Sequence, residues 1–154
     1  MDALDRKILN LLQEDASITN ARLAERVYLS PSSCLRRVNR LKDSGKIVSI
    51  VARCDPAALG RGLSVIVLVT LKYDAVVKRR EFMEKVSNET AISQAYSVSG
   101  ETDVTLFMNL TGMDEYVEIC ERLFDHDENV DKFKSLFVMD HFKNETAIPL
   151  DAVE

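Results

Sequence analysis

Near Gly62 the hydrophobic pattern of this 154-residue chain shifts to strands and helices in alternation, and that shift limits the possible folds more than any other feature. Before it, apolar residues recur at helical spacing in three short stretches, followed by one strand-like run. Beyond it, β-branched runs alternate with helical stripes: "LSVIVLVTLKY" reads as a buried strand, "VVKRREFMEKVSNE" as a helix and "AISQAYSVS" as a strand. "VTLFMNLT", "MDEYVEICERLFD" and "VDKFKSLFVM" then read as strand, helix and strand.

The order β-α-β-β-α-β predicts the split β-α-β plan of a ferredoxin-like module, whose two helices cover one sheet face and leave the other free for a second copy. Apolar residues on both sides of Leu63 to Leu71 favour such a dimer.

Three helices are predicted before the change. Leu4, Ile8, Leu11 and Leu12 form an amphipathic stripe, with Asp2 and Asp5 near the positive helix N-terminus. Thr19 or Asn20 offers a cap for a second helix whose inner face carries Leu23, Ala24 and Val27. Ser30 followed by Pro31 starts the third: a serine hydroxyl accepts an orphan N–H, and proline's missing donor is not needed in a first turn. Cys34 or Leu35, Val38 and Leu41 supply its inner stripe, and Gly45 its stop. Ser32, Ser33, Arg36, Arg37 and Arg40 are left for the outer surface.

"KIVSIVARCDP" reads as a strand closed by Asp55-Pro56. A strand so apolar must pair within its own domain or have its edge covered by another chain, so a partner subunit is expected there. "AALGRG" marks the join. The predicted architecture is α+β: a helix-turn-helix (winged-helix-like) domain over residues 1–46, a strand and hinge linker over 47–62, and a βαββαβ domain over 63–154.

Net charge of −5 conceals an asymmetry. Met1 to Arg53 holds ten Lys or Arg against six Asp or Glu, whereas the remainder holds ten against nineteen. A basic module for an anionic partner joined to an acidic module with another task accounts for this split.

Several function classes are disfavoured. No apolar run approaches the roughly 18 residues of a membrane span and no signal peptide opens the chain, which predicts a cytosolic protein. Cys34, Cys54 and Cys120 are scattered without a C-x-x-C pair, so free thiols are expected rather than disulfides or zinc. Asp125, His126 and Asp127 in "FDHDEN" read as a polar loop rather than metal ligands. No nucleophile–base set, phosphate-cradling loop or placed carboxylate pair emerges, so neither an enzyme nor a cofactor is expected.

Small hydroxyl residues opening a third helix that displays arginines are what a DNA-reading helix needs: the helix tip approaches base edges while long cations reach phosphate or guanine. "LDRKILNLLQEDASITNARLAERVYLSPSSCLRRVNRLKDSGKI" closely resembles the N-terminal helix-turn-helix of the Lrp/AsnC, or feast/famine, transcriptional regulators. "CDPAALG" resembles their hinge, and "SGETDV" and "TAIPL" their recurrent turn and C-terminal strand. The resemblance implies a homo-oligomeric regulator, a dimer assembling further toward an octamer, that is associated with the nucleoid and binds double-stranded operator DNA. It implies a recognition helix carrying Ser30, Ser32, Ser33, Arg36, Arg37 and Arg40. Relatives commonly have glycine where Tyr28 stands, so a positive φ there would strain this chain.

The bland reading of "SVSGETDVT" is a hairpin turn. The resemblance implies more: Gly100, Glu101, Thr102 and Asp103 line an amino-acid effector site, with Thr146 and Ala147 as weaker candidates. Leucine, methionine or another small amino acid is the implied effector. Turn N–H groups suit an α-carboxylate, and a carboxylate or carbonyl suits an ammonium. Two rival readings are an amino-acid sensor whose basic module docks an acidic protein, and an enzyme built on the βαββαβ module.

Overall fold

The computed structural model describes residues 1–72 and 76–150. Tyr73, read above as the end of a strand run, and residues 151–154 of the expected second domain lie outside the described residues. The chain divides into two compact units: Met1–Ala52 together with the residues from Phe142 on, and Arg53–His141. Residues 142–150, expected at the end of the second domain, thus pack with the first.

The first unit contains α1 (Ala3–Glu14), α2 (Asn20–Val27) and α3 (Pro31–Asp43). Each helix starts on a side-chain cap that satisfies an orphan N–H. Asp2 accepts from the Asp5 N–H at 2.8 Å and the Asp5 carboxylate accepts in return from the Asp2 N–H, a capping box. Thr19 accepts from the Arg22 N–H at 3.3 Å, and Ser30 from the Ser33 N–H at 3.3 Å. The core is made of Ile8, Leu9, Leu11, Leu23, Ala24, Val27, Cys34, Val38 and Leu41. Each large aliphatic side chain buried there contributes roughly 1.5–3 kcal/mol. Cys34, not Leu35, takes the inner position: Cys34 is fully buried and Leu35 is 49% exposed. Asn20 Nδ2 donates to the Pro31 carbonyl at 2.9 Å, tying the start of α2 to the start of α3.

Tyr28 ends α2 in the left-handed region, at φ 58° and ψ 44°. Its turn returns the Leu29 N–H to the Ala24 carbonyl at 2.9 Å, closing the helix end. A Cβ in this conformation costs roughly 1–2 kcal/mol. Lys7 Nζ sits 4.9 Å from the ring centroid and returns part of that.

The second unit contains β1 (Leu63–Leu71), α4 (Val76–Ser87), β2 (Ile92–Ser97), β3 (Val104–Leu110), α5 (Met113–Cys120) and β4 (Val130–Phe137). α5 runs on into a wider π turn over Glu121–Asp125. The sheet order is β2-β3-β1-β4, with every neighbouring pair antiparallel. This is the expected split β-α-β arrangement. Alternate residues Val65, Val67 and Val69 of β1 and Val104, Leu106, Met108 and Leu110 of β3 point inward against Phe82, Val86, Ile119, Leu123 and Phe124. Before β1, Asp55 and Pro56 form the expected turn, in which the Ala57 N–H donates to Asp55 Oδ1 and the Arg61 N–H to the Pro56 carbonyl.

Two expected strands are absent among the described residues. "KIVSIVARCDP" forms no ladder, and Val48 within it is 92% exposed. "TAIPL" forms none either. Both have strand-forming composition, but a ladder requires an adjacent edge, and none is supplied to them. "TAIPL" is instead held by Gln13 of α1, whose Nε2 donates to the Ile148 carbonyl at 3.0 Å while the Ile148 N–H donates to Oε1 at 2.7 Å. Leu150 packs against the first core.

Candidate nucleic-acid interface and ligand turn

Helical geometry separates the three arginines of α3. Successive residues are about 100° apart around the axis, so Arg36 and Arg40 share one face while Arg37 turns aside. Arg37 points at α1. Its Nη1 donates to Asp2 Oδ2 at 2.6 Å and to Asp5 Oδ1 at 2.8 Å, and its side chain is only 24% exposed. The expectation that Arg37 lies on the outer surface therefore fails, because the acids that cap α1 also capture it. Arg40 Nη2 reaches the same Asp5 carboxylate, at 2.8 and 3.0 Å, but the Arg40 side chain remains 60% exposed.

Asp5 is the centre of this clamp, with its side chain 4% exposed. Burial pushes its carboxyl up, yet the Arg37 hydrogen bond and the Asp2 N–H more than compensate and hold it below the ordinary range. The Arg37 hydrogen bond, chiefly, holds Asp2 low as well. Sequence reasoning saw these acids only as partners of the helix dipole. The available signal was that two acids spaced i, i+3 coincide with an excess of arginine on another helix.

Ser32, Leu35, Arg36, Asn39, Arg40 and Asp43 line one continuous shallow surface along α3. Neither Arg36 nor Asn39 has a hydrogen-bond or ion-pair partner among the described residues. Leu35 and Asn39, not among the site residues singled out from the sequence, lie on this surface too. At the start of the helix, Ser30 is a cap, as its spacing predicted, and its Oγ also donates to Ser33 Oγ at 3.0 Å. Ser33 is half-buried and Ser32 exposed.

In the second unit, Gly100, Glu101, Thr102 and Asp103 lie together in the turn between β2 and β3. Gly100 adopts φ 128°, which a side chain would strain. The turn is stitched to β1: the Asp103 N–H donates to the Val69 carbonyl at 2.9 Å and the Leu71 N–H to Asp103 Oδ2 at 2.8 Å. Arg79 of α4 sits 3.6 Å from Asp103 Oδ1. Asp103 thus already carries protein partners on both oxygens, while Glu101 and Gly100 face solvent. Thr146 and Ala147 belong to the first compact unit, two and one residues before the Ile148 contact with Gln13.

His126 Nδ1 rests on the Glu121 carbonyl, and Asp127 accepts from Lys85 Nζ and the Asn129 N–H. No group of three metal-ligating side chains converges among the described residues, and Cys34, Cys54 and Cys120 are free. No helix among them is long and apolar enough to cross a membrane.

Comparison with known proteins agrees with this geometry. Residues 1–48 match the winged helix-turn-helix DNA-binding family model, and residues 64–148 match the Lrp/AsnC ligand binding domain. The chain is 37% identical to an HTH-type transcriptional regulator of Haemophilus influenzae, over 97% of this chain and 89% of that protein. It is 33% identical to the leucine-responsive regulatory protein of Rhizobium meliloti, over 94% and 92%. Among solved structures, a transcriptional regulator from Neisseria meningitidis in complex with L-Met superposes with a TM-score of 0.92 at 32% identity, covering 98% of this chain and 97% of that one. With a DNA-binding helix-turn-helix ahead of the matching ligand-binding domain, the chain belongs to the Lrp/AsnC family of transcriptional regulators.

Proposed function

We propose that this chain is a sequence-specific transcription regulator of the cytoplasm and nucleoid, acting as a homo-oligomer on double-stranded operator DNA and answering to a small amino acid. The observation that carries the DNA part is the exposed Arg36, without a partner among the described residues, beside the exposed Arg40 on one face of α3. In this reading Ser32 and the capped tip at Ser30 and Ser33 approach the backbone or base edges, and Arg37 keeps α3 in place. Two recognition helices of a dimer, about 34 Å apart, would enter successive major grooves of a roughly palindromic site. Replacing both Arg36 and Arg40 with alanine should abolish preferred-site binding and flatten the salt dependence of duplex affinity. Unchanged, salt-sensitive binding by the double variant would refute the assignment.

The oligomer part draws on unpaired apolar surface: Val48, Ile50 and Val51 in the linker, and Leu136 and Phe137 on the sheet, are exposed. A second copy burying them satisfies the strand-forming linker, and four dimers in a ring make an octamer. Light scattering would give the number.

The effector part places an amino acid at the Gly100–Asp103 turn. The solvent-facing Gly100 and Glu101 supply a backbone N–H for an α-carboxylate and a carboxylate for an ammonium. Methionine and leucine lead the candidates, since one relative was solved with L-Met and another is named for its leucine response. The reading assigns no catalytic step to the chain. Ligand and DNA must alter each other's affinity by the same factor. Calorimetry with the twenty amino acids that yields no heat would remove this part.

A further inference from the structure

Leu35 and Asn39 do nothing for the packing of α3. Leu35 is a large apolar side chain half in water on a helix whose core contacts are made by Cys34, Val38 and Leu41. It is not among the partly buried side chains that pack against that core. Asn39 occupies the helix interior, where asparagine is a poor helix former, and it has no partner among the described residues. Both lie on the surface shared with Ser32, Arg36 and Arg40. One apolar group, one amide and one unpaired guanidinium within five residues are the three chemistries that distinguish bases in a major groove: a methyl contact, adenine N6/N7 and guanine O6/N7.

We infer that Leu35, Arg36 and Asn39 determine the operator sequence. Leu35 packs on a thymine methyl, Arg36 reads a guanine and Asn39 reads an adenine. Arg40 is assigned differently, because Asp5 holds its Nη2 through both carboxylate oxygens. A guanidinium committed at one nitrogen cannot swing freely to a base, and its remaining donors suit a phosphate. The rise of 1.5 Å per residue separates Leu35 and Asn39 by about 6 Å, close to two base-pair steps. The three contacts therefore fall within two to three neighbouring base pairs of each half-site. This inference rests on the DNA-binding reading above and extends it to base identity.

The test is a selection of bound fragments from random duplexes by the full chain, repeated with Leu35→Ala, Arg36→Ala, Asn39→Ala and Arg40→Ala. Wild type should select half-sites containing a guanine, an adenine and a thymine within three base pairs. Asn39→Ala should lose the adenine preference and Arg36→Ala the guanine preference, each by roughly 5- to 150-fold. Arg40→Ala should weaken binding to all sequences alike. Uracil in place of the selected thymine, which removes one methyl and leaves the protein untouched, should weaken wild type by about fourfold and Leu35→Ala by nothing. Salt-sensitive duplex binding by wild type with no such triplet, or base preferences that persist in the Asn39 and Arg36 variants, overturns the inference and leaves DNA binding intact. No duplex binding at all overturns both.

Discussion

Replacing Asp5 with alanine removes the one carboxylate that joins α1 to two arginines of the recognition helix. Asp5 accepts from Arg37 Nη1 at 2.8 Å, from Arg40 Nη2 at 2.8 and 3.0 Å, and from the Asp2 N–H. Breaking a fully buried ion pair costs about 3–5 kcal/mol. Here Arg40 is mostly exposed and rehydrates, and Arg37 retains Asp2 at 2.6 Å, which reduces the cost to about 2 kcal/mol. For a unit of this size that is a fall of roughly 8–16 °C in the midpoint of its unfolding transition. The effect depends on pH in a defined direction. Asp5 is held below the ordinary aspartate value of 3.8, so near that value the unfolded chain binds more protons than the folded one. The contribution is therefore complete above 3.8 and is lost as pH falls through the lower folded value. Urea unfolding of wild type and Asp5→Ala, followed by circular dichroism from pH 7 down to pH 2.5, should show a difference that shrinks toward acid. Asp43→Ala, which removes an exposed acid at the end of α3, should change little. A deficit under 0.5 kcal/mol at pH 7, or one that persists undiminished at the acid end, would refute the clamp.

Tyr28 gives a second stability test. In a Lys7→Ala background, Tyr28→Gly should stabilise by about 1 kcal/mol because glycine adopts φ 58° without strain, and with Lys7 present the gain should be smaller by about 0.5–1 kcal/mol. Equal gains in both backgrounds, measured by urea unfolding, would deny the cation–π contact. Gln13→Ala should release residues 142–150 from the first unit: losing hydrogen bonds worth about 1 kcal/mol raises hydrogen exchange at the Ile148 amide roughly fivefold. An unchanged exchange rate at that amide would mean that Gln13 does not hold the tail.

Most of the fold is legible in the sequence because the signals are local. The stripe of Ile8 and Leu11, the Ser30-Pro31 start and the alternation through Leu63–Leu71 each report a period or a cap that operates within a few residues. The candidate site is only half legible for the same reason. Spacing places Arg36 and Arg40 on one face of α3, and the hairpin turn at Gly100–Asp103 follows from turn chemistry.

What the sequence alone determined is therefore the order and type of the helices and of the four sheet strands, since periodicity and capping depend on near neighbours in the chain. Tertiary structure decided what each polar side chain meets. It turned Arg37 away from the reading surface onto Asp2 and Asp5, closed both oxygens of Asp103 and left Leu35 facing water. It also denied strands to "KIVSIVARCDP" and "TAIPL", because a ladder requires a neighbouring edge and composition cannot supply one. Charge pairing and strand pairing both join residues distant along the chain, and only the folded arrangement brings those partners within reach.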